Sequence, residues 1–213
     1  MIYKFLLFSL TCVNAFFYPT TKLASGKTIS LIGNGPPILF STGIYGVIPR
    51  FCYNDLIKNL KKNMTIVNID GFSPINPSDI DDVANAIKTD KLTYVSHSSF
   101  DPNILESKRI NGALLLDPIS VPKISFSGIE GYSIDLDYPV YVIKADKLYN
   151  ANAPLPEWQN IELIGDVDYE IYEDVGHPDI LDDRWANIAK NLGLWEMAEG
   201  ETMSFKDWKF NGK

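Results

Sequence analysis

The apolar residues of this chain come in short runs, each of which stops abruptly at small or polar residues. Ile38–Phe40 and Gly112–Leu116 are continuous, Met64–Ile69 and Pro139–Ala145 are strands interrupted by polar residues, and a further short run from Leu92 ends in Ser96-His97-Ser98-Ser99. Such runs suit strands covered on both faces. Between them, apolar residues recur at helical intervals: first Phe51, Leu56 and Leu60, then Ile80, Val83, Ala84 and Ile87. Strands alternating with helices call for an α/β fold with a mainly parallel central sheet and helices on both faces. With 213 residues, 46% of them hydrophobic, the chain can bury one substantial core, so a single domain is expected.

Further elements follow from the same pattern. Lys27–Ile32 forms an early edge strand. Ser78 caps a helix over Asn76–Lys88, and a short helix over Pro102–Arg109 follows the run from Leu92. Asp168–Tyr172 is the last strand. The closing helix follows Gly176-His177-Pro178, with Leu181, Trp185, Ile188 and Leu192 on one stripe and Gly193 as its stop. The stretch Ile119–Asp137, rich in Ser and Gly, reads as irregular, long enough for a lid but too short for a cap domain. In the tail 196–213, Met203, Phe205, Trp208 and Phe210 either pack on the body or meet a partner.

The first fifteen residues read as a signal peptide: Lys4, the apolar run Phe5–Val13, and the small-residue site Val13-Asn14-Ala15. The run is too short for a transmembrane helix, and a first core strand is the other reading. After Ala15 comes Phe16-Phe17-Tyr18-Pro19-Thr20-Thr21-Lys22, which resembles the bipartite leaders of algae with secondary plastids. Export from the cell and a plastid are both open destinations. Cleavage there would leave Cys52 as the lone cysteine, in an aromatic context that suits a small core residue. Asn63-Met64-Thr65 is a glycosylation sequon, usable on the secretory route. The net charge of −8 and the absence of a basic cluster argue against a nucleic-acid partner.

Ligands in open α/β sheets bind at the carboxyl ends of the strands. Ser98, Asp117 and His177 fall there. A strand that turns sharply pushes its apex side chain above the sheet, where a base can reach it, and aims the next backbone N–H at a developing oxyanion. Ser98 occupies such an apex. The usual pattern has glycine two positions before and after, whereas here stand Ser96 and Phe100; the segment by itself also fits an ordinary strand-to-loop transition. His97 adjoins Ser98, where neighbouring side chains diverge, which leaves His177 as the candidate base. Asp117 and Asp146 each follow a strand and compete as the acid.

The order Ser, acid, His resembles the α/β-hydrolases, and within them chlorophyllases, with platelet-activating-factor acetylhydrolases next. Phe40-Ser41-Thr42-Gly43-Ile44 with Phe51-Cys52-Tyr53-Asn54-Asp55-Leu56 is similar to the family's first oxyanion loop and helix. Leu114-Leu115-Leu116-Asp117-Pro118 is similar to its acid-bearing strand end, and Gly176-His177-Pro178-Asp179-Ile180-Leu181-Asp182-Asp183 to its histidine segment. The likeness spans about 38–194 and implies an α/β-hydrolase fold over 16–213. It implies Ser98 as nucleophile, His177 as base and acid, Asp117 as the orienting acid in preference to Asp146, and the N–H groups of Ile44 and Ser99 as oxyanion donors. The activity implied is cofactor-free, metal-free hydrolysis of a small lipophilic carboxylic ester through an acyl-serine. Thr42 stands where the family has His, and Phe100 where it has Gly; these favour the alternative of a binding or regulatory protein without catalysis. Asp179 and Asp182 are expected to cap and charge the last helix. The oligomeric state is left open.

Overall fold

The computed structural model describes residues 19–46, 48–70, 74–99, 101–119, 123–125, 128–130, 133–147 and 162–191. The apolar runs become strands whose alternate residues feed two cores. In β3 (Pro37–Ser41), Ile38 and Phe40 enter one core and Leu39 the other; in β5 (Leu92–Ser99), Val95 and Tyr94 divide the same way. In β6 (Ile110–Ile119), Leu114 and Leu116 join the first core and Ala113 and Leu115 the second. A strand buried on both faces has no polar side to show, which is why the central residues of these segments are mainly apolar and their polar residues gather towards the strand ends.

The main sheet has the order β1-β2-β4-β3-β5-β6-β9-β10, where β1 is Thr20–Lys22, β2 Thr28–Ile32, β4 Thr65–Asp70, β9 Ser133–Lys147 and β10 Glu162–Gly176. The strands from β4 to β10 run parallel; β2 is antiparallel to β4 and β1 antiparallel to β2. The mainly parallel sheet is therefore as expected. Helix α1 is Gly43–Gly46, α2 Asn54–Leu60, α3 Pro77–Ile87 and α4 Asp183–Asn191. Helix α3 covers one face with Ile80, Val83 and Ala84; α2 covers the other with Leu56, Ile57 and Leu60, joined by Ile180 and Trp185. Fully burying a Leu or Ile side chain contributes about 1.5–3 kcal/mol, so these two faces carry much of the fold.

Several expectations need correction. Helix α3 starts from Asn76, not Ser78, and Asp79 accepts the Asn76 N–H at 2.8 Å. No α-helix forms over Pro102–Arg109. Asp101 accepts the Asn103 N–H at 3.0 Å, opening a single 3-10 turn, Pro102–Ile104, from which the chain returns to β6. Asp-Pro-Asn is turn chemistry, and the side-chain bond fixes the turn before a helix can propagate. The stretch Ile119–Asp137 is not irregular throughout, for β7 (Lys123–Ser125) and β8 (Gly128–Glu130) form a hairpin and β9 begins at Ser133. In β9, buried Ile134, Leu136 and Tyr138 alternate with exposed Ser133, Asp135 and Asp137, so polar spacing disguised a half-covered strand.

The last strand is likewise longer than Asp168–Tyr172. Its bulge at Gly165 needs glycine, because φ is +123° and a Cβ there would stand 2.3 Å from the Leu136 carbonyl oxygen. Gly43–Gly46 is a helical turn, and Arg50–Tyr53 is 3-10 before α2 begins. The signal segment 1–15, Phe100, Leu192, Gly193 and the tail 196–213 lie outside the described residues, as does the side chain of Ile188. Among the described residues, no helix is long and apolar enough to cross a membrane.

Candidate active site

At the carboxyl ends of adjacent strands, two non-glycine residues have left-handed backbone: Ser98 at the end of β5 with φ +64°, and Asp117 near the end of β6 with φ +43°. Such conformations cost roughly 1–2 kcal/mol in a residue with a Cβ, and they persist only where the surroundings impose them. The β5–β6 register is irregular between His97 and Ser99, so the chain breaks step at Ser98. Ser96, where a glycine is usual, is fully buried and lies in register with Ser41 and Leu115. The small neighbour Ser41 explains how a side chain is accommodated there. Unlike an elbow that feeds an α-helix, this one leads, among the described residues, to the 3-10 turn at Pro102.

His177 opens a 3-10 turn, His177–Ile180, where β10 leaves the sheet. Its Nδ1 lies 2.5 Å from Asp117 Oδ2, with both residues buried. A carboxylate only accepts, so Nδ1 carries a proton and donates a hydrogen bond to Asp117. The structure thus brings Asp117 to His177. Asp146 lies near the end of β9, and its side chain is not among those described.

Beneath Ser98 the other histidine is fixed at both nitrogens. His97 is 1% exposed; its Nδ1 lies 2.7 Å from Tyr53 Oη, and its Nε2 lies 3.2 Å from the His177 carbonyl oxygen. The two imidazoles stack with centroids 4.7 Å apart and planes at 34°. Tyr53, itself fully buried, accepts the Gly43 N–H on its hydroxyl at 2.8 Å and meets Phe40 edge-on at 5.2 Å. Burial, with His177 beside it, holds His97 well below the usual imidazole range. Burial also pushes the Tyr53 phenol well above its ordinary value, only partly offset by the Gly43 N–H. Both rings are therefore neutral at pH 7.

The oxyanion candidates sit on either side. Ile44 lies in the first turn of α1, where backbone N–H groups lack an intrahelical partner, and Ser99 closes β5 opposite Ile119. The N–H of the preceding Gly43 is consumed by Tyr53, so it is not available to a ligand. Asp182 departs from expectation. Its main-chain carbonyl accepts the Trp185 and Ala186 N–H groups of α4, but its carboxylate accepts Asn54 and Asp55 N–H groups at the start of α2. Burial raises its pKa, with those N–H groups opposing the shift. Asp179 is buried in the His177 turn. Cys52 is a buried core thiol, pushed up to about 12 by burial and then by Asp182, and is inert. Among the described residues, no group of three or more His, Cys, Asp or Glu could hold a metal ion.

Tyr53 and Asp182 were within reach of sequence reasoning only as members of matched segments. Their roles depend on contacts 44 and 127 residues away along the chain. The available signal was that the chain has only two histidines, one of them adjoining Ser98.

No family model matches the chain, and no curated protein matches it. Solved structures do. An epoxide hydrolase from metagenomes of hot environments, described as belonging to the α/β-hydrolase superfamily, aligns with TM-score 0.57 at 12% identity over 84% of this chain and 97% of its own. A mutant meta-cleavage product hydrolase aligns with TM-score 0.54 at 12% identity over 82% and 97%. An epoxide hydrolase from an endophytic Streptomyces matches at 17% identity and TM-score 0.39 over 50% of this chain; there, the match spans only 38% of the other protein. The two longer alignments show that the chain has the α/β-hydrolase fold.

Proposed function

We propose that the protein is a serine carboxylic-ester hydrolase of the chlorophyllase kind, acting on a small lipophilic ester. The observation that carries this reading is the buried His177–Asp117 pair at 2.5 Å, held beside the left-handed Ser98 turn by the stack of His97 on His177. Ser98 Oγ attacks the ester carbonyl carbon as His177 Nε2 takes its proton, and Asp117 stabilises the imidazolium through Nδ1–H. The N–H groups of Ile44 and Ser99 receive the oxyanion; a preorganised donor of this type contributes roughly 3–4 kcal/mol. The intermediate collapses to acyl-serine, and His177 gives its proton to the leaving alcohol. Water, deprotonated by the same nitrogen, then attacks the acyl carbon, and the acid leaves as the bond to Ser98 Oγ breaks and His177 returns the proton to that oxygen. These steps draw on side chains and backbone alone.

The fold and the two full-length hydrolase neighbours support hydrolysis in general. The ester, its long isoprenoid or acyl alcohol, and delivery by the leader to the secretory route or a plastid rest on the segments that resemble chlorophyllases. A second reading, a binding protein without catalysis, draws on the absence of an α-helix directly after Ser98 among the described residues, and on Phe100 and Thr42. Labelling with a fluorophosphonate separates the two, since it reacts with a serine activated by a base. The natural chain is expected to label, and Ser98→Ala and His177→Ala to abolish labelling. A folded natural chain that does not label would leave the binding reading.

A further inference from the structure

Acyl transfer at this site needs groups from separate loops: the turn at Gly43–Ile44, the apex at Ser98 and the segment starting at His177. One continuous hydrogen-bond chain joins all three. Its direction is fixed by its ends. The Gly43 N–H can only donate, so Tyr53 Oη accepts it and turns its own proton to His97 Nδ1. The His177 carbonyl can only accept, so His97 Nε2 carries the proton and donates to it. Every donor and acceptor along the chain is thereby satisfied, in a region from which water is excluded. The opposite tautomer would set an Nε2 lone pair against a carbonyl oxygen and leave the tyrosine proton without a partner.

We propose that Tyr53 and His97 are positioning residues, a buried phenol–imidazole brace that holds the oxyanion-side turn and the main chain of His177 in register across Ser98. The inference rests on the hydrolase reading. The brace fixes the peptide plane at Gly43, and hence the start of the turn that presents the Ile44 N–H. At its other end it fixes the His177 backbone, while Asp117 fixes the ring of the same residue. His97 adjoins Ser98 in sequence, so movement of the base relative to the nucleophile requires breaking the bond at His177 O or moving the elbow itself. Gly43 is enclosed by the same groups: a Cβ there would lie 3.1 Å from both His97 Nδ1 and Tyr53 Oη.

The test uses the full chain, Tyr53→Phe and His97→Gln, the double variant, and histidine labelled with nitrogen-15. His97 in the natural chain is expected as the Nε2–H tautomer from pH 5.5 to 8. Tyr53→Phe is expected to slow fluorophosphonate labelling of Ser98 by about 10- to 100-fold, with KM for a p-nitrophenyl ester within threefold of the natural value and kcat carrying the loss. The double variant should be little slower than the slower single, because one brace is lost either way. His97 protonated on Nδ1, a Tyr53→Phe chain labelling within twofold of the natural rate, or a loss no larger than the loss of folded protein would each overturn the brace. Failure of the natural chain to label would overturn the hydrolase reading instead, and the tautomer would then be a property of the core alone.

Discussion

The Asp182 carboxylate accepts the Asp55 N–H at 2.9 Å, so the segment that carries His177 caps a helix beginning 128 residues earlier, at Asn54. Those N–H groups have no partner inside their own helix, and a carboxylate at a helix N-terminus also meets favourable dipole charge. Asp182→Ala is expected to lower stability by about 1–2 kcal/mol in urea unfolding. The amides of Asn54 and Asp55 should exchange faster with solvent. Asp183→Ala, an exposed change in the first turn of α4, should stay within about 0.5 kcal/mol. Equal losses in the two variants would mean that the cap between these two segments contributes nothing.

Asp117 and Asp146 separate by activity. Asp117→Asn keeps the shape but turns an obligatory acceptor into a group that can donate to Nδ1, favouring the wrong tautomer of His177. The expected loss is about 10³–10⁴-fold in kcat for a p-nitrophenyl ester. Asp146→Asn is expected to stay within about threefold, since in this reading the acid that orients the base is Asp117. The reverse ranking would move the acid to β9.

Gly43→Ala tests how closely the oxyanion-side turn is enclosed. The added methyl would lie 2.8 Å from Ile48 Cδ1 and 3.1 Å from Tyr53 Oη and His97 Nδ1. Ile48 can swing away, while the two polar atoms must each give by a few tenths of an ångström. Stability should fall by about 1–2 kcal/mol, and fluorophosphonate labelling should slow more than that loss explains. A fully active, equally stable variant would show that the turn has slack.

Stability should fall on mild acidification, and His97 sets the sign. Its folded value lies well below the ordinary imidazole value of about 6.5 because burial disfavours the charged ring. Between the two values, the unfolded chain binds the extra proton, so unfolding becomes easier as pH drops below about 6.5. The slope from this group is at most about 1.4 kcal/mol per pH unit. Urea unfolding at pH 7.5 and 5.5 should show that fall in the natural chain and a smaller one in His97→Gln. Equal slopes would mean that His97 takes up its proton without unfolding.

The sequence by itself determined the layered fold and the order of the candidate groups. Runs such as Ile38–Phe40 and Leu114–Leu116 have no polar face, so they must lie inside a sheet covered on both sides. The carboxyl ends of those strands then bring Ser98, Asp117 and His177 to one edge. Local pattern failed where polar residues carried structural rather than solvent-facing roles. Ser133, Asp135 and Asp137 looked like loop but are the exposed side of β9, and Asp101 diverted an apparent helix into a turn.

Tertiary structure alone brought the Asp117 carboxylate onto His177 Nδ1, set the Asp182 carboxylate on a helix other than its own, and linked Gly43 to the His177 main chain through Tyr53 and His97. Each of these depends on directional bonds that reach residues distant in the chain. Periodicity records how a segment shares its surface between core and water. It carries no information on which buried donor finds which acceptor, and that choice is made only when the faces close on one another.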